Sequence, residues 1–294
     1  MGAFDCDENL FRAAQALMGD PTLAIIAGEG VLPRMLSEAL SRAGRAHIAC
    51  YPHGLEVEVP AAEEFFFERS IAFIKSLQQR GINQIVMVGK FVRPRSLNLL
   101  RFEGSTLMAA PRILGSLRNG DDASLRALAQ IIEEYGLKVV GIEDVAPNLL
   151  PEPGLYASRV PSDLDRADVE RAAHIVAAIS QVDVGQGAVV AKGLCLATEA
   201  LPGTDAMLEW VAATRTERPE HGHSGVLYKA PKLNQDRRMD LPGIGPTTVA
   251  KAAAAGLAGI AWEARGALLL DADQTMADAE RLGLFLWSRE RRDD

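Results

Sequence analysis

Leu23-Ala-Ile-Ile-Ala-Gly-Glu-Gly-Val-Leu-Pro33 is the stretch that decides how this chain folds. It is an apolar run that stops at a glycine turn, the pattern of a strand buried on both faces. Apolar residues then repeat at helical spacing up to Gly44, and Ala46-His-Ile-Ala-Cys50 forms a second apolar run. A strand, a helix and a strand in this order predict a β-α-β unit with parallel strands.

The same alternation continues along the chain and predicts an α/β fold with two domains. Further strands are predicted at 82–88 and 138–142, each preceded by a helical repeat. The stretch from Pro147 to Ser162 is rich in Pro, Gly and small polar residues, which indicates a linker. The predicted divisions are an extension at 1–20, a first α/β domain with a Rossmann-like parallel sheet at 21–150, a linker at 151–163 and a second mixed α/β domain at 164–290.

The composition excludes several classes of function. The 294 residues are 48% hydrophobic and 24% charged, which is typical of a soluble globular protein. A net charge of −8 argues against a nucleic-acid partner, because phosphate backbones attract basic surfaces. The chain has neither a secretion signal nor an apolar run near the roughly 18 residues of a membrane span. Three widely spaced cysteines indicate reduced thiols, so we expect a cytosolic protein, at most attached to a membrane surface.

Glycines and charged residues follow the predicted strands of the first domain. Gly28 and Gly30 form the turn after the first strand. A dinucleotide site is disfavoured there, because Pro33 replaces the third glycine of GxGxxG and the second strand lacks a terminal acidic residue. An anion or a sugar over the helix N-terminus is one interpretation of this turn, and an unoccupied turn is the other. Arg93, after the strand at 82–88, either meets a phosphate or is solvated.

Gly120-Asp121-Asp122 opens a helix, and its carboxylates have two interpretations. Acidic residues at a helix start are ordinary capping residues. Adjacent carboxylates after a glycine can also coordinate Mg²⁺, directly or through water.

Gly185-Gln186-Gly187 turns from a helix into a strand in the second domain. Glycine allows close approach of a ligand and an amide both donates and accepts, although a plain glycine-rich turn has the same pattern. Glu199 lies near the end of the second strand of a predicted hairpin. Thr204 and Asp205 either cap the next helix or bind a ligand at its N-terminus.

A charged loop, residues 229–245, connects an apolar strand to an Ala-rich helix. Its ionisable side chains include Lys229, Lys232 and Asp240. Such a loop can hold an anion and a divalent cation together, and it can equally be a solvated surface loop. The chain lacks a Walker A sequence, a Gly-x-Ser-x-Gly elbow and a His-Glu-x-x-His motif. The groups that remain are those that phosphoryl chemistry uses.

Six stretches in the same order resemble the LpxI-type UDP-2,3-diacylglucosamine pyrophosphatases of lipid A biosynthesis, from about Leu23 to Trp287. They are Ile25-Ile-Ala-Gly-Glu-Gly-Val-Leu-Pro33, Gly120-Asp-Asp122, Asp183-Val-Gly-Gln-Gly-Ala-Val-Val190, Gly203-Thr-Asp-Ala-Met207, Lys229-Ala-Pro-Lys232 and Asp240-Leu-Pro-Gly-Ile-Gly245.

The resemblance implies a Mg²⁺-dependent hydrolase that splits UDP-2,3-diacylglucosamine into UMP and 2,3-diacylglucosamine 1-phosphate (lipid X), with water attacking the α-phosphorus. It also implies that the substrate lies between two α/β domains, and that the protein works at the cytoplasmic face of the inner membrane as a homodimer. The required aspartate of the family matches Asp240, which either holds the metal or positions the water, and Asp122 is a second candidate metal ligand. Lys229, Lys232 and Arg93 are candidates to offset the diphosphate charge. Lys90 departs from the family pattern.

Two other functions are compatible with parts of the sequence. The glycine turns allow a non-catalytic protein that binds a sugar nucleotide or a lipid. The first β-α-β unit allows a nicotinamide-dependent oxidoreductase.

Overall fold

The computed structural model describes residues 22–91, 121–214, 224–233 and 236–290, with side chains from residue 126 onward in the helix that begins at Asp121. The chain divides into two compact units. Unit 1 comprises residues 1–147 and 236–240, and unit 2 comprises residues 148–235 and 241–294.

Unit 1 contains a five-stranded sheet in which every neighbouring pair is parallel, in the order β3-β2-β1-β4-β5. The central strand β1 pairs with strands on both sides, since Leu23 lies opposite both His47 and Gln84. The β-α-β unit and the parallel sheet predicted from the sequence are confirmed. The strands are β1 Leu23–Ala27, β2 His47–Pro52, β3 Glu63–Phe65, β4 Gln84–Val88 and β5 Lys138–Val140.

The helices of unit 1 provide the apolar residues that cover this sheet. All five residues of β1 are buried, as expected for the central strand of a covered parallel sheet. A core cluster of unit 1 joins strand residues with residues of the second and third helices. The helices are α1 Leu32–Arg42, α2 Ser70–Gln79, α3 Asp121–Glu134 and the single turn α4 Ile142–Val145, with 3₁₀ turns at Phe67–Arg69 and Pro147–Leu149.

A short piece of the charged loop, Asp236–Asp240, packs with unit 1. Met239 is buried in the core cluster of unit 1. The sequence-based division assigns this piece to the second domain, at 164–290. The structure assigns it to unit 1 instead, because the Met239 side chain is buried in the core of that unit.

Unit 2 contains a six-stranded mixed sheet in the order β6-β13-β11-β9-β7-β8. Strands β9, β11 and β13 are mutually parallel, whereas β7 is antiparallel to both β9 and β8. The predicted hairpin is therefore confirmed. The strands are β6 Gly154–Leu155, β7 Gly187–Ala191, β8 Leu194–Thr198, β9 Val226–Lys229, β11 Gly259–Glu263 and β13 Phe285–Arg289, and a separate pair is formed by β10 Gly243–Ile244 and β12 Leu268–Leu269.

Helices cover both faces of this sheet. On one face α5 packs against β7 and β9 through an apolar cluster that includes Val176 and Val190. The other face packs against the remaining helices through a cluster that includes Leu208, Val249 and Trp262. The helices are α5 Asp163–Ser180, α6 Gly203–Ala213, α7 Pro246–Ala254 and α8 Ala272–Leu282. The α/β class and the two-domain architecture predicted from the sequence are confirmed.

The predicted linker at 151–163 contains ordered contacts with unit 2. Gly154–Leu155 pairs antiparallel with β13, and the Tyr156 amide donates to the Leu286 carbonyl at 2.9 Å. At its end, the Ser162 hydroxyl accepts from the Asp165 amide at 3.2 Å and caps α5. Within the described residues, no helix is both long enough and apolar enough to cross a membrane.

Candidate functional site

One edge of the unit 2 sheet gathers most of the candidate residues of the second domain. The carboxyl ends of β8, β9, β11 and β13 lie at this edge together with the amino end of β7, because β7 runs antiparallel to its neighbours. Lys229 ends β9, with Gly187 opposite on β7 and Trp262 opposite on β11. Strand ends are a usual place for ligands in sheets of this kind.

Gly185 and Gly187 are glycines because Glu199 approaches them closely. A Cβ atom at Gly185 would lie 2.0 Å from the Glu199 carbonyl oxygen, and one at Gly187 would lie 2.6 Å from Glu199 Oε2. The Glu199 amide also donates to the Gly187 carbonyl at 2.8 Å. The two glycines therefore place the Glu199 carboxylate against the start of β7.

Lys229, Thr204 and Glu199 form a buried hydrogen-bonded cluster. Lys229 Nζ donates to Thr204 Oγ1 at 2.7 Å, and the Thr204 hydroxyl donates to Glu199 Oε2 at 3.0 Å. Lys229 Nζ also lies 3.8 Å from Glu199 Oε2 and 3.4 Å from the Gly243 carbonyl. The Lys229 and Glu199 side chains are only 4% and 10% exposed. A buried ammonium and a carboxylate this close together compensate each other's charge.

Gln186 presents a buried acceptor beside this cluster. Its backbone carbonyl accepts from the Ala230 amide at 3.1 Å, which places it next to the residue that follows β9. Its side-chain Oε1 is buried and has no hydrogen-bond partner among the described residues. A buried amide oxygen of this kind can accept a hydrogen bond from an N–H or O–H group of a ligand.

Two other candidates of unit 2 make ion pairs outside the buried cluster. Lys232 Nζ donates to Asp183 Oδ1 at 2.6 Å. Asp205 accepts from Lys251, with Nζ 2.9 Å from Oδ2. The structure therefore joins Thr204 to the cluster and directs the neighbouring Asp205 carboxylate to a lysine of α7.

The turn at Gly28 and Gly30 joins the loop after β4 at the point where the strand order of unit 1 reverses. Glu29 and Lys90 exchange two backbone hydrogen bonds, each 2.9 Å long. A Cβ atom at Gly28 would lie 2.7 Å from the Lys90 carbonyl oxygen, so this glycine permits the contact between the loops. Gly30 has a φ of +98°, and no atom of the described residues lies within 4 Å of the position that a Cβ would take. Crevices at such reversal points bind ligands in many α/β sheets.

Asp240 is an exposed residue at the end of the piece that packs with unit 1. Two residues before it, the Arg238 guanidinium pairs with Asp236 and with Glu133. Hydrogen bonding from Arg238 lowers the pKa of the Asp236 carboxyl.

The structure describes only some of the remaining candidate residues of the first domain. Arg93 and Gly120 lie outside the described residues. Asp121 and Asp122 form the first residues of α3, and their side chains are outside the described set. In the part of the chain that the structure describes, no three His, Cys, Asp or Glu side chains are grouped closely enough for a metal site.

The sequence interpretation missed two charged residues that the fold buries next to each other. Glu263 and Arg289 are each 6% exposed and lie opposite each other at the ends of β11 and β13. Arg289 Nη2 donates to Glu170 Oε2 at 3.0 Å, and the guanidinium lies 5.9 Å from the centre of the Tyr228 ring. A charged residue that ends an apolar run is the signal that would have identified both.

The comparisons with known proteins cover both units. Residues 22–149 match the LpxI N-terminal domain, and residues 152–287 match the LpxI C-terminal domain. A protein of Caulobacter vibrioides named UDP-2,3-diacylglucosamine pyrophosphatase LpxI is 36% identical over 274 residues, which are 90% of this chain and 96% of that protein.

Proposed function

Because this chain belongs to the LpxI family, we propose that it hydrolyses the pyrophosphate bond of UDP-2,3-diacylglucosamine to UMP and lipid X. The resemblance inferred from the six motifs is confirmed by the two domain matches. The observation that carries the proposal is the 36% identity, over nearly the whole of both chains, to a protein named as this pyrophosphatase.

In the proposed reaction, water attacks the α-phosphorus, on the uridine side. The bond between the α-phosphorus and the bridging oxygen breaks, so the water oxygen leaves in UMP and the bridging oxygen leaves in lipid X. The proton lost by the attacking water is released to solvent. Phosphoryl transfer of this kind depends mainly on positioning and on compensation of the oxygen charges.

The buried cluster of unit 2 supports a role in charge compensation. Lys229 is held by Thr204 and Glu199 at the edge of the sheet, so its ammonium has a defined position before substrate binds. Gln186 Oε1 supplies an acceptor for the sugar or the base. We propose that Lys232, Gly185 and Gly187 also contact the substrate, together with Gly28, Gly30 and Arg93.

Asp240 and Asp122 are the residues that we propose to hold Mg²⁺. Mg²⁺ commonly keeps several waters and binds one or two carboxylates together with substrate phosphates, so a partial set of ligands such as the exposed Asp240 fits its chemistry. When bound, the ion would neutralise charge on the diphosphate oxygens. Asp240 itself either holds this ion or orients the attacking water.

The acyl chains of the proposed substrate are anchored in a bilayer. We therefore propose that the protein acts in the cytoplasm, attached peripherally to the inner membrane. A homodimer is proposed from the family resemblance alone.

The test is UMP release from the diacylated substrate, with Mg²⁺ and after its removal by EDTA. We expect many turnovers per protein molecule with Mg²⁺, loss of activity without it, and loss of activity in Asp240→Ala. Asp273→Ala, which removes another exposed aspartate, is the matched control and should retain activity. In ¹⁸O-water the label should appear in UMP.

Several results would contradict parts of the proposal. Near-normal turnover by Asp240→Ala would remove that residue from the reaction. Label in lipid X would place the attack on the other phosphorus. Substrate binding without turnover would favour the carrier function.

A further inference from the structure

The five residues Asp236–Asp240 belong to unit 1, whereas the residues before and after them belong to unit 2. Ordering so short an excursion costs conformational entropy, so its contacts with unit 1 must hold it in place. Two of these contacts are made by the backbone and the core. Met239 is 6% exposed within the unit 1 cluster, and a Cβ atom at Gly141 would lie 3.2 Å from the Arg238 Cα.

Arg238 makes several polar contacts from this piece. Its Nε and Nη2 donate to the Asp236 carboxylate, at 2.9 Å to Oδ1 and 2.7 Å to Oδ2. Its Nη1 donates to Glu133 Oε1 at 2.9 Å and to the Val139 carbonyl at 3.3 Å. One planar guanidinium thus links the piece to the last turn of α3 and to the edge strand β5.

The arrangement is specific to arginine. A lysine ammonium is a single point of charge and cannot hold the Asp236 carboxylate with two parallel bonds while reaching Glu133 and Val139. The Arg238 side chain is 36% exposed, so solvent screens its ion pairs and they contribute geometry more than stability.

We propose that Arg238 is a positioning residue that fixes the piece 236–240, and with it Asp240, on unit 1. The inference rests on the proposed role of Asp240 in the reaction. Asp240 directly follows a turn in which the Met239 amide donates to the Asp236 carbonyl at 2.9 Å and the Arg238 amide donates to Asp236 Oδ1 at 3.1 Å. The Arg238 guanidinium fastens this turn to Glu133 and Val139 of unit 1.

The test compares Arg238→Ala, Arg238→Lys and Glu133→Gln with the wild type in UMP release and in hydrogen exchange of the peptide that contains residues 236–241. We expect kcat to fall about 10- to 100-fold in Arg238→Ala with KM changed less than about threefold, because misplacement of a reacting group affects the chemical step. Arg238→Lys should recover little of this loss, and Glu133→Gln should show a smaller one. Exchange should become faster in this peptide and stay unchanged in β1 and β4.

Arg80→Ala is the matched control. Arg80 also makes two bonds to one carboxylate of unit 1, at 2.7 and 2.8 Å to Glu63, but at the amino edge of the sheet. It should leave kcat and the exchange of residues 236–241 unchanged.

A kcat within twofold of the wild type in Arg238→Ala, or unchanged exchange, would overturn the inference. If Arg238→Ala does not fold, Glu133→Gln decides by the same two measurements. Absence of UMP release by the wild type would overturn the proposed function instead, and the exchange data would then still show whether Arg238 holds the piece.

Discussion

Replacement of Lys229 by methionine tests the buried cluster of unit 2. Methionine has nearly the same length as lysine but no charge, so Lys229→Met leaves the Glu199 carboxylate with Thr204 as its remaining partner of the cluster. Both side chains are almost fully buried, and water cannot replace the lost ammonium.

The size of the effect follows from the distance. Two opposite charges 3.8 Å apart attract each other by about 4 kcal/mol at an effective dielectric constant near 20. Breaking a buried pair by removing one partner typically costs about 3–5 kcal/mol, because an uncompensated charge stays buried. We therefore expect Lys229→Met to lower the free energy of unfolding of unit 2 by about 3–5 kcal/mol.

Urea unfolding followed by tryptophan fluorescence measures this loss. All three tryptophans, at positions 210, 262 and 287, belong to unit 2, so the signal reports on the unit that contains the cluster. The double variant Lys229→Met with Glu199→Gln removes both charges. Its loss of unfolding free energy should be smaller than the sum of the losses in the two single variants. The difference, which is the coupling energy, should be about 1–3 kcal/mol.

Lys251→Met is the control in the same unit. Lys251 pairs with Glu209 at 2.7 Å and with Asp205 at 2.9 Å on the surface, where solvent screens such pairs and they contribute little to stability. A loss in Lys229→Met no larger than that of Lys251→Met would refute the reasoning, because it would show that the cluster contributes no more than a surface pair.

Two further predictions concern a close backbone contact and a buried histidine. Gly185→Ala should destabilise unit 2 by about 1–3 kcal/mol and reduce UMP release, because its Cβ would lie 2.0 Å from the Glu199 carbonyl oxygen; wild-type stability in urea would contradict this. Burial lowers the pKa of His47, which bonds to Ser37 and to the Arg45 carbonyl, so the folded state favours the neutral ring. The resulting stability is present above the unfolded pKa of about 6.5 and is lost as pH falls through the lower folded pKa, so unit 1 should weaken as pH falls below about 6.5. His47→Gln should reduce this dependence in circular dichroism melts, and an equal dependence in both proteins would show that another group is responsible.

Residue patterns were sufficient to predict the architecture. The apolar run before Gly28 and the one that ends at Cys50 predicted parallel strands, because a strand buried on both faces has no polar alternation. The glycine turn at 185–187 and Glu199 were predicted to lie next to strands because each borders a strand-like apolar run. These features depend on residues close together in the sequence, where spacing and burial are directly related.

Tertiary structure decided which charged groups meet. Lys229 contacts Thr204 and Glu199 because β7 is inserted antiparallel between β8 and β9, and a strand order of this kind leaves no trace in local spacing. The piece Asp236–Asp240 packs with unit 1 although the residues that precede and follow the piece belong to unit 2. That placement depends on the burial of Met239 and on the bonds from Arg238 to Glu133, which is 105 residues away in the chain. Contacts over such separations are selected by the free energy of the complete fold, which no short stretch of sequence contains.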